Sequence, residues 1–82
     1  MNEVKYVIVD GSAIVFSAAI QHKDMVGYNK KCEGAGFVSF SVTKDEDGYD
    51  IIKPTCYGES ISLGIKSRKD IDSMIIKRQI TQ

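Results

Sequence analysis

The chain has 82 residues, and its 11 lysine and arginine residues are balanced by 11 aspartate and glutamate residues. This length fits one small domain, whose modest core often needs disulfides, metal or oligomerisation for stability. Zero net charge argues against a protein that holds duplex nucleic acid mainly by neutralising its phosphates.

The first predicted element is a β-hairpin. Two β-prone runs flank Asp10 and Gly11, and an Asp-Gly pair is a strong signal for a tight hairpin turn. We predict strands over residues 4–9 and 13–19, although Ser12 would also suit the N-cap of a short helix over the second run. Both sides of the first strand are apolar, which indicates a central strand that is covered on both faces.

A polar stretch and a second hairpin follow. Residues 21–34 predict a connecting loop with one helical turn near residues 22–26. Residues 36–43 alternate apolar with polar side chains, which is typical of a strand. The acidic, glycine-terminated run 44–48 predicts a turn that returns the chain.

Two more strands are predicted before the helix. The fourth strand covers residues 49–57, and it should lie at an edge or carry a bulge because Pro54 has no N–H to donate. The fifth strand covers residues 60–65. Its alternation predicts Ile61, Leu63 and Ile65 in the core and the serines between them outside.

The last element is the clearest helix. Ser67 followed by Asp70 is similar to a capping box, and the acidic start and basic end suit the helix dipole. Ile71, Met74 and Ile75 form an apolar stripe that two later isoleucines extend. The whole chain, residues 1–82, therefore predicts one α+β domain: a small, mostly antiparallel sheet of about five strands with one C-terminal helix packed on one face.

A single helix covers a single face of such a sheet. The other face would carry valines, aromatic residues and serines, and a lone small protein tends not to expose such a patch. We therefore expect a second copy to cover it, giving a homo-oligomer.

The candidate ligand site lies where the fifth strand leads into the helix. Unpaired amides at a helix start, its dipole and an arginine fork all favour an anion such as phosphate. In this hypothesis the serines offer hydroxyl groups, the basic residues meet phosphate, and an aromatic ring or the imidazole stacks on a base. The predicted ligand-binding residues are His22, Lys23, Tyr57, Ser60, Ser62, Lys66, Ser67 and Arg68. The alternative is that Ser67 only caps the helix, Arg68 is solvated and His22 is a solvated loop residue.

The sequence gives no sign of catalysis. No nucleophile–base spacing is evident, and one histidine with two scattered cysteines does not make a metal site, so we expect no enzyme, no cofactor and no metal. The cysteines, Cys32 and Cys56, form no close pair, which favours free thiols and a cytoplasmic protein. We see neither a signal peptide nor an apolar run long enough for a membrane helix.

The segment Gly34-Ala-Gly-Phe-Val-Ser-Phe40 resembles the first ribonucleoprotein motif of RNA-recognition domains. That resemblance implies a binder of single-stranded RNA whose aromatic residues stack on bases. Glu33 stands where the motif has a basic residue, and Ala35 stands where it has its first aromatic residue.

The chain as a whole resembles the small accessory proteins of large tailed phages. The resemblance is carried by Ala-Ile-Gln-His-Lys-Asp at 19–24, Ala-Gly-Phe-Val-Ser-Phe at 35–40 and Cys-Tyr-Gly-Glu-Ser-Ile-Ser-Leu-Gly-Ile-Lys-Ser-Arg at 56–68. It implies a small oligomer that blocks host defence, for example a sponge that sequesters a nucleotide immune signal without cleaving it. We therefore expect a non-enzymatic homo-oligomer that holds a small phosphorylated ligand, such as a cyclic nucleotide, between subunits. The alternatives are a protein–protein adaptor or inhibitor that uses the exposed sheet, and a binder of single-stranded RNA.

Overall fold

A computed structural model describes residues 4–27 and 30–81 of the chain. The elements are β1 (Val4–Val9), β2 (Ser12–Ser17), a 3-10 turn (His22–Met25), β3 (Cys32–Lys44), β4 (Asp50–Tyr57), β5 (Glu59–Ser60), β6 (Ile65–Lys66) and α1 (Lys69–Ile80). The strands form a four-stranded sheet in the order β2-β1-β3-β4 and a separate two-stranded ribbon of β5 and β6, and every pairing is antiparallel. The predicted α+β class is confirmed. The predicted loop at 21–34 is too long, because β3 already begins at Cys32; its residues Tyr28 and Asn29 lie outside the described residues.

The β1–β2 hairpin closes through Asp10 and Gly11, as predicted. Their φ angles are 52° and 79°, and a type I′ turn requires positive φ at both central positions. The second run is therefore a strand, and the alternative of a short helix there is wrong. β1 lies between β2 and β3, and its Tyr6, Val7 and Ile8 are fully buried, which confirms a central strand covered on both faces.

One face of the sheet, which we call the helix face, packs against α1. Its core consists of four side chains from the sheet and one from the helix: Tyr6, Ile8, Val38, Cys56 and Ile76. Within the described ranges no helix is long and apolar enough to cross a membrane.

The opposite face is covered by the chain itself. Val7, Phe16 and Ala35 form its core, and side chains from the 3-10 region and from the ribbon pack against them: Met25, Val26, Leu63 and Ile65. The prediction that a second copy must cover this face was wrong. The 3-10 region, predicted to be a polar loop, and the ribbon, predicted to be a strand of the sheet, each place apolar side chains on it. An oligomer would need a different surface.

The helix is rotated relative to the prediction. Ile71 and Met74 of the predicted stripe are 54% and 59% exposed, whereas Ile76 is buried. The reason is that α1 also bonds to both edge strands of the sheet. At β4, the Cys56 N–H donates to Ser73 Oγ over 3.0 Å, and at β2 the Gln79 side chain meets the backbone of Ala13.

The Gln79 carboxamide bonds to Ala13 in the way that a neighbouring strand would. Its Oε1 accepts from the Ala13 N–H at 2.6 Å, and its Nε2 donates to the Ala13 carbonyl at 3.1 Å. With Ser73 holding the opposite edge, these bonds fix which helix residues can face the sheet.

The predicted capping box is also replaced. The N-cap residue is Arg68, and its backbone N–H donates over 2.9 Å to the carboxylate of Asp72 instead of Asp70. Asp72 takes this role because it lies on the buried side of the helix, while Asp70 is exposed.

The predicted fifth strand is a short ribbon. Leu63 and Ile65 pack against the core as predicted, whereas the burial of the first two residues is reversed. Ser60 is fully buried and Ile61 is 91% exposed, the opposite of the expected alternation. A tight turn causes this, because the Gly64 N–H donates to the Ser60 carbonyl at 2.9 Å and Gly64 adopts a φ of 67°. The Ser60 hydroxyl also accepts from the Leu63 N–H, which holds the serine inside.

The distal part of the β3–β4 hairpin, residues 41–53, extends past the described part of β1, and we call it the arm. β1 pairs with β3 only as far as Val38, whereas β4 continues to pair with β3 out to Lys44 and Asp50. The prediction that Pro54 marks an edge strand is confirmed, since β4 ends the sheet order.

We expect Gly34→Ala to destabilise the fold. A Cβ at this position would overlap the Asp72 carboxylate, which cannot move away without losing its partners. We predict a loss of about 1–3 kcal/mol in the free energy of unfolding, measured by urea denaturation. Gly27→Ala is the matched control, because among the described residues its Cβ would meet the flexible side chain of Lys30, and it should change stability little. Equal stability of the two variants would contradict the close packing at Gly34.

Candidate ligand cleft

A cleft of about 350 Å³ opens beside the face opposite the helix. It lies where β1, the 3-10 turn, β3 and the ribbon come together. Its lining combines an aromatic ring, an imidazole, one basic and one acidic side chain, and neutral polar groups: Lys5, Gln21, His22, Phe37, Glu59, Ile61 and Ser62.

His22 forms the inner wall of the cleft and is only 4% exposed. Its ring meets Phe16 and Phe37 edge-on, with centroid separations of 5.6 and 5.9 Å. Its Nε2 lies 2.8 Å from the Gly36 carbonyl, and because a carbonyl can only accept, Nε2 carries the proton. The alternative of a solvated loop histidine is therefore wrong, since the 3-10 turn places the ring inside.

Phe37 supplies the apolar surface of the cleft. Tyr57, its partner across β3 and β4, stacks on it with a centroid separation of 5.7 Å and an interplanar angle of 22°. Tyr57 itself is not among the lining residues. The expected stacking residue thus supports the ring that forms the wall.

The polar part of the lining contains one positive and one negative side chain. Lys5 is near one end of β1, and its Nζ donates to the Ile20 carbonyl at 2.9 Å. Glu59 comes from β5 on the far side, and Ser62 follows in the ribbon turn, where its Oγ lies 3.3 Å from the Ser60 hydroxyl. A ligand in this cleft would meet a cation, a carboxylate and neutral polar groups that can both donate and accept.

The basic residues of the predicted anion site do not reach the cleft. Arg68 pairs with the fully buried Asp72, with Nε 3.0 Å and Nη2 2.9 Å from Oδ1. Ser67 is also engaged, because its hydroxyl lies 2.7 Å from that of Tyr6. Lys66 and Lys23 are exposed and lie outside the lining.

The Tyr6 hydroxyl completes the buried carboxylate site. It donates to Asp72 Oδ2 at 2.6 Å, on the other side of the carboxylate from the guanidinium. Burial and then this hydrogen bond raise the pKa of Tyr6 well above its ordinary value. Tyr6, Ser67, Arg68 and Asp72 thus join β1 to the start of α1, and their polar groups are directed at one another.

The thiols are unsuited to act as nucleophiles. Cys32 and Cys56 are both free, and burial raises the pKa of each above its ordinary value, which keeps them as thiols near neutral pH. Over residues 4–27 and 30–81 no group of three or more metal-ligating side chains comes together.

The aromatic residues of the ribonucleoprotein-like motif lie on different faces. Phe37 lines the cleft, whereas Phe40 packs against the helix-face core. RNA-recognition domains also require a helix between their first two strands, and here β2 follows β1 directly through a tight turn. The motif therefore does not present a shared stacking surface.

No family model, curated protein or solved structure matches the chain. Of the residues predicted from the sequence, the cleft brings together His22 and Ser62, with Tyr57 behind its wall. Sequence reasoning missed Lys5, Phe37 and Glu59. Lys5 carried a usable signal, because it is the one charged residue within the otherwise apolar strand Val4–Val9.

Removing the Tyr6 hydroxyl should destabilise the protein. We expect Tyr6→Phe to lower the free energy of unfolding by about 1.5–3 kcal/mol, because a buried carboxylate loses a hydrogen bond. Tyr49→Phe is the matched control, since its ring is exposed and its stability should hardly change. Denaturant unfolding at pH 7 measures both, and equal values would contradict a structural role for the Tyr6–Asp72 bond.

The same pair of proteins should differ in pH dependence. The folded pKa of Tyr6 is raised above its unfolded value of about 10, so its contribution is complete below pH 10 and is lost as the pH rises above it. The stability advantage of the native protein over Tyr6→Phe should therefore shrink above about pH 10. Unfolding curves from pH 7 to 11 test this, and a constant difference would contradict it.

Proposed function

We propose that the protein is a non-enzymatic binding protein that holds a small, planar, phosphorylated ligand of the nucleotide class in the cleft. The observation that carries this proposal is the union of the Phe37 ring, the Lys5 cation and the Glu59 carboxylate around one opening. Such a mixture of an apolar wall with a few convergent polar groups is typical of small-molecule sites.

Each part of a nucleotide has a counterpart in the lining. A base would lie against Phe37 and the exposed side chain of Ile61. A phosphate would pair with Lys5, because a charge-assisted hydrogen bond is stronger than a neutral one. Glu59 only accepts when it is ionised, so it suits sugar hydroxyls or a base amino group, and Gln21 and Ser62 can bond either way.

In this function the phosphate contact lies at Lys5 and not at the start of α1. Arg68 is committed to Asp72, so a ligand would have to break a buried ion pair to use it. Among the described residues, the Lys5 ammonium hydrogen-bonds to the exposed Ile20 carbonyl, which a phosphate could replace at small cost.

The cleft favours holding a ligand over transforming it. The protonated nitrogen of His22 is bonded to Gly36, and both cysteines have raised pKa values. A role in sequestering a ligand agrees with the resemblance to phage accessory proteins of the nucleotide-sponge type, so cyclic nucleotides are the first ligands to test.

Isothermal titration calorimetry with cyclic and linear nucleotides tests the proposal. We expect binding of at least one of them, and Lys5→Gln should weaken it about tenfold or more through loss of a charge-assisted bond. Lys23→Gln is the matched control, because Lys23 is exposed and lies outside the lining, and it should bind like the native protein.

Two results would overturn this function. Absence of heat with every nucleotide would remove the ligand class. Recovery of a changed nucleotide after incubation, detected by mass spectrometry and absent from a blank, would show turnover and end the non-enzymatic assignment.

A further inference from the structure

We infer that the arm joins two copies of this chain through antiparallel pairing of their β4 edges. This surface shares no residue with the cleft, so the inference stands apart from the proposed ligand. It also differs from the sheet face that the sequence suggested, since the chain covers that face itself.

The backbone of β4 presents an unpaired edge along the arm. β4 ends the sheet order, and the Cys56 N–H points away from β3 because it reaches Ser73. Backbone groups in an antiparallel pair alternate in direction, so Pro54, Ile52 and Asp50 face the same way as Cys56. Pro54 has no N–H and Cys56 is blocked, which leaves Ile52 and Asp50 with outward donors and acceptors that no described residue satisfies.

Three apolar side chains of the arm are exposed to solvent. Val42 and Ile52 pair across the arm and are 64% and 46% exposed, and Tyr49 nearby is also exposed. An exposed edge strand that carries apolar residues tends to pair with another chain unless something blocks it. The helix blocks β4 only at Cys56, at the base of the arm.

Charge identifies a second copy as the occupant. The arm ends in the exposed acidic run Asp45, Glu46 and Asp47. Antiparallel pairing places the tip of one arm beside the base of the other. At that base, Ser73 of the helix accepts a hydrogen bond from Cys56 of β4. The residues one helical turn before and after Ser73 are Lys69 and Lys77, both exposed.

The same contact is made twice across a two-fold axis. Pairing Asp50 with Ile52 of the second copy allows each N–H to donate to the opposite carbonyl. It also brings the acidic turn of one arm towards the base of the other copy's arm. Each chain carries an acidic turn at the tip of the arm and two lysines near its base. A two-fold dimer therefore pairs the acidic turn of each copy with the lysines of the other, as an isologous interface requires. A formal net charge of zero adds no overall repulsion between copies.

Ile52→Pro tests the backbone pairing directly. This change removes an outward N–H, as Pro54 already does on the same edge, and leaves the bonds to β3 intact. Ile52→Thr is the matched control, since it loses apolar surface but keeps the N–H. Light scattering after size-exclusion chromatography should give a dimer for the native chain and for Ile52→Thr at about 100 µM, and a folded monomer for Ile52→Pro.

Amide hydrogen exchange keeps the test decisive if Ile52→Pro does not fold. In the native chain, protection of the Ile52 and Asp50 amides should rise at least tenfold between dilute and concentrated samples, while the inward-facing Ile51 amide stays unchanged. A native monomer at 100 µM, a folded Ile52→Pro dimer, equal dissociation by both variants, or concentration-independent exchange would each overturn the inference. So would a β4 edge protected only when a different protein is added.

Charge reversal provides an independent test of the dimer. Lys69→Glu combined with Lys77→Glu should weaken the dimer at least tenfold, and adding Glu46→Lys and Asp47→Lys should restore it. The control Lys23→Glu, on the 3-10 turn, should leave the dimer unchanged. Failure of the reversed charges to restore the dimer would overturn the proposed tip-to-base contact.

Discussion

The carboxylate of Asp72 governs how the helix meets the sheet. It is fully buried, and a buried charge is costly unless its oxygens are paired and hydrogen-bonded. Tyr6 supplies one bond from the centre of the sheet, and Arg68 supplies a backbone N–H and a guanidinium from the start of the helix. Gly34 completes the arrangement because a side chain there would occupy the space of the carboxylate. The start of α1 is therefore fixed over β1 and β3, and the residues expected to bind an anion are used to hold it there.

Because α1 is held in this position, it covers one face of the sheet only. With α1 held on one face, the other face is covered by the 3-10 turn and by the β5–β6 ribbon, both of which are short and irregular. The cleft is the gap that remains between them. Its position thus follows from the need to bury Val7 and Phe16. Its polar lining comes from those two segments and from Lys5 on β1.

The sequence allowed the locally encoded features to be predicted. The Asp10-Gly11 turn and the edge position of Pro54 depend on the conformational limits of single residues, so they could be read without knowing the fold. The helix cap could not, because capping rules favoured Asp70, while the partner that selects Asp72 is Tyr6, at the other end of the chain. The predicted burial of Ser60 and Ile61 was wrong for a similar reason, since the alternation of apolar and polar residues cannot reveal the turn that reverses it.

The candidate site was predicted only in part, for the same reason. Residue chemistry was enough to single out His22, and a serine-bearing ribbon after β4 led to Ser62, but both were expected beside Arg68. Lys5 and Glu59 could not be paired in advance, because they meet only when the ribbon returns across the sheet face. Tertiary contacts, which no local pattern records, decide which charged residues share a cleft.

Gln79 has a consequence for how the molecule comes apart. Its carboxamide occupies the backbone of Ala13 from the last turn of a helix, and terminal turns open more readily than any other part of a helix. When that turn frays, the outward N–H and carbonyl of Ala13 on the β2 edge lose their partner while the rest of the domain is still intact. The C-terminal turn of the helix therefore protects this position of the β2 edge from pairing with a strand of another molecule. The first step towards fibrous self-association would be a small local opening at the end of the helix, well before global unfolding.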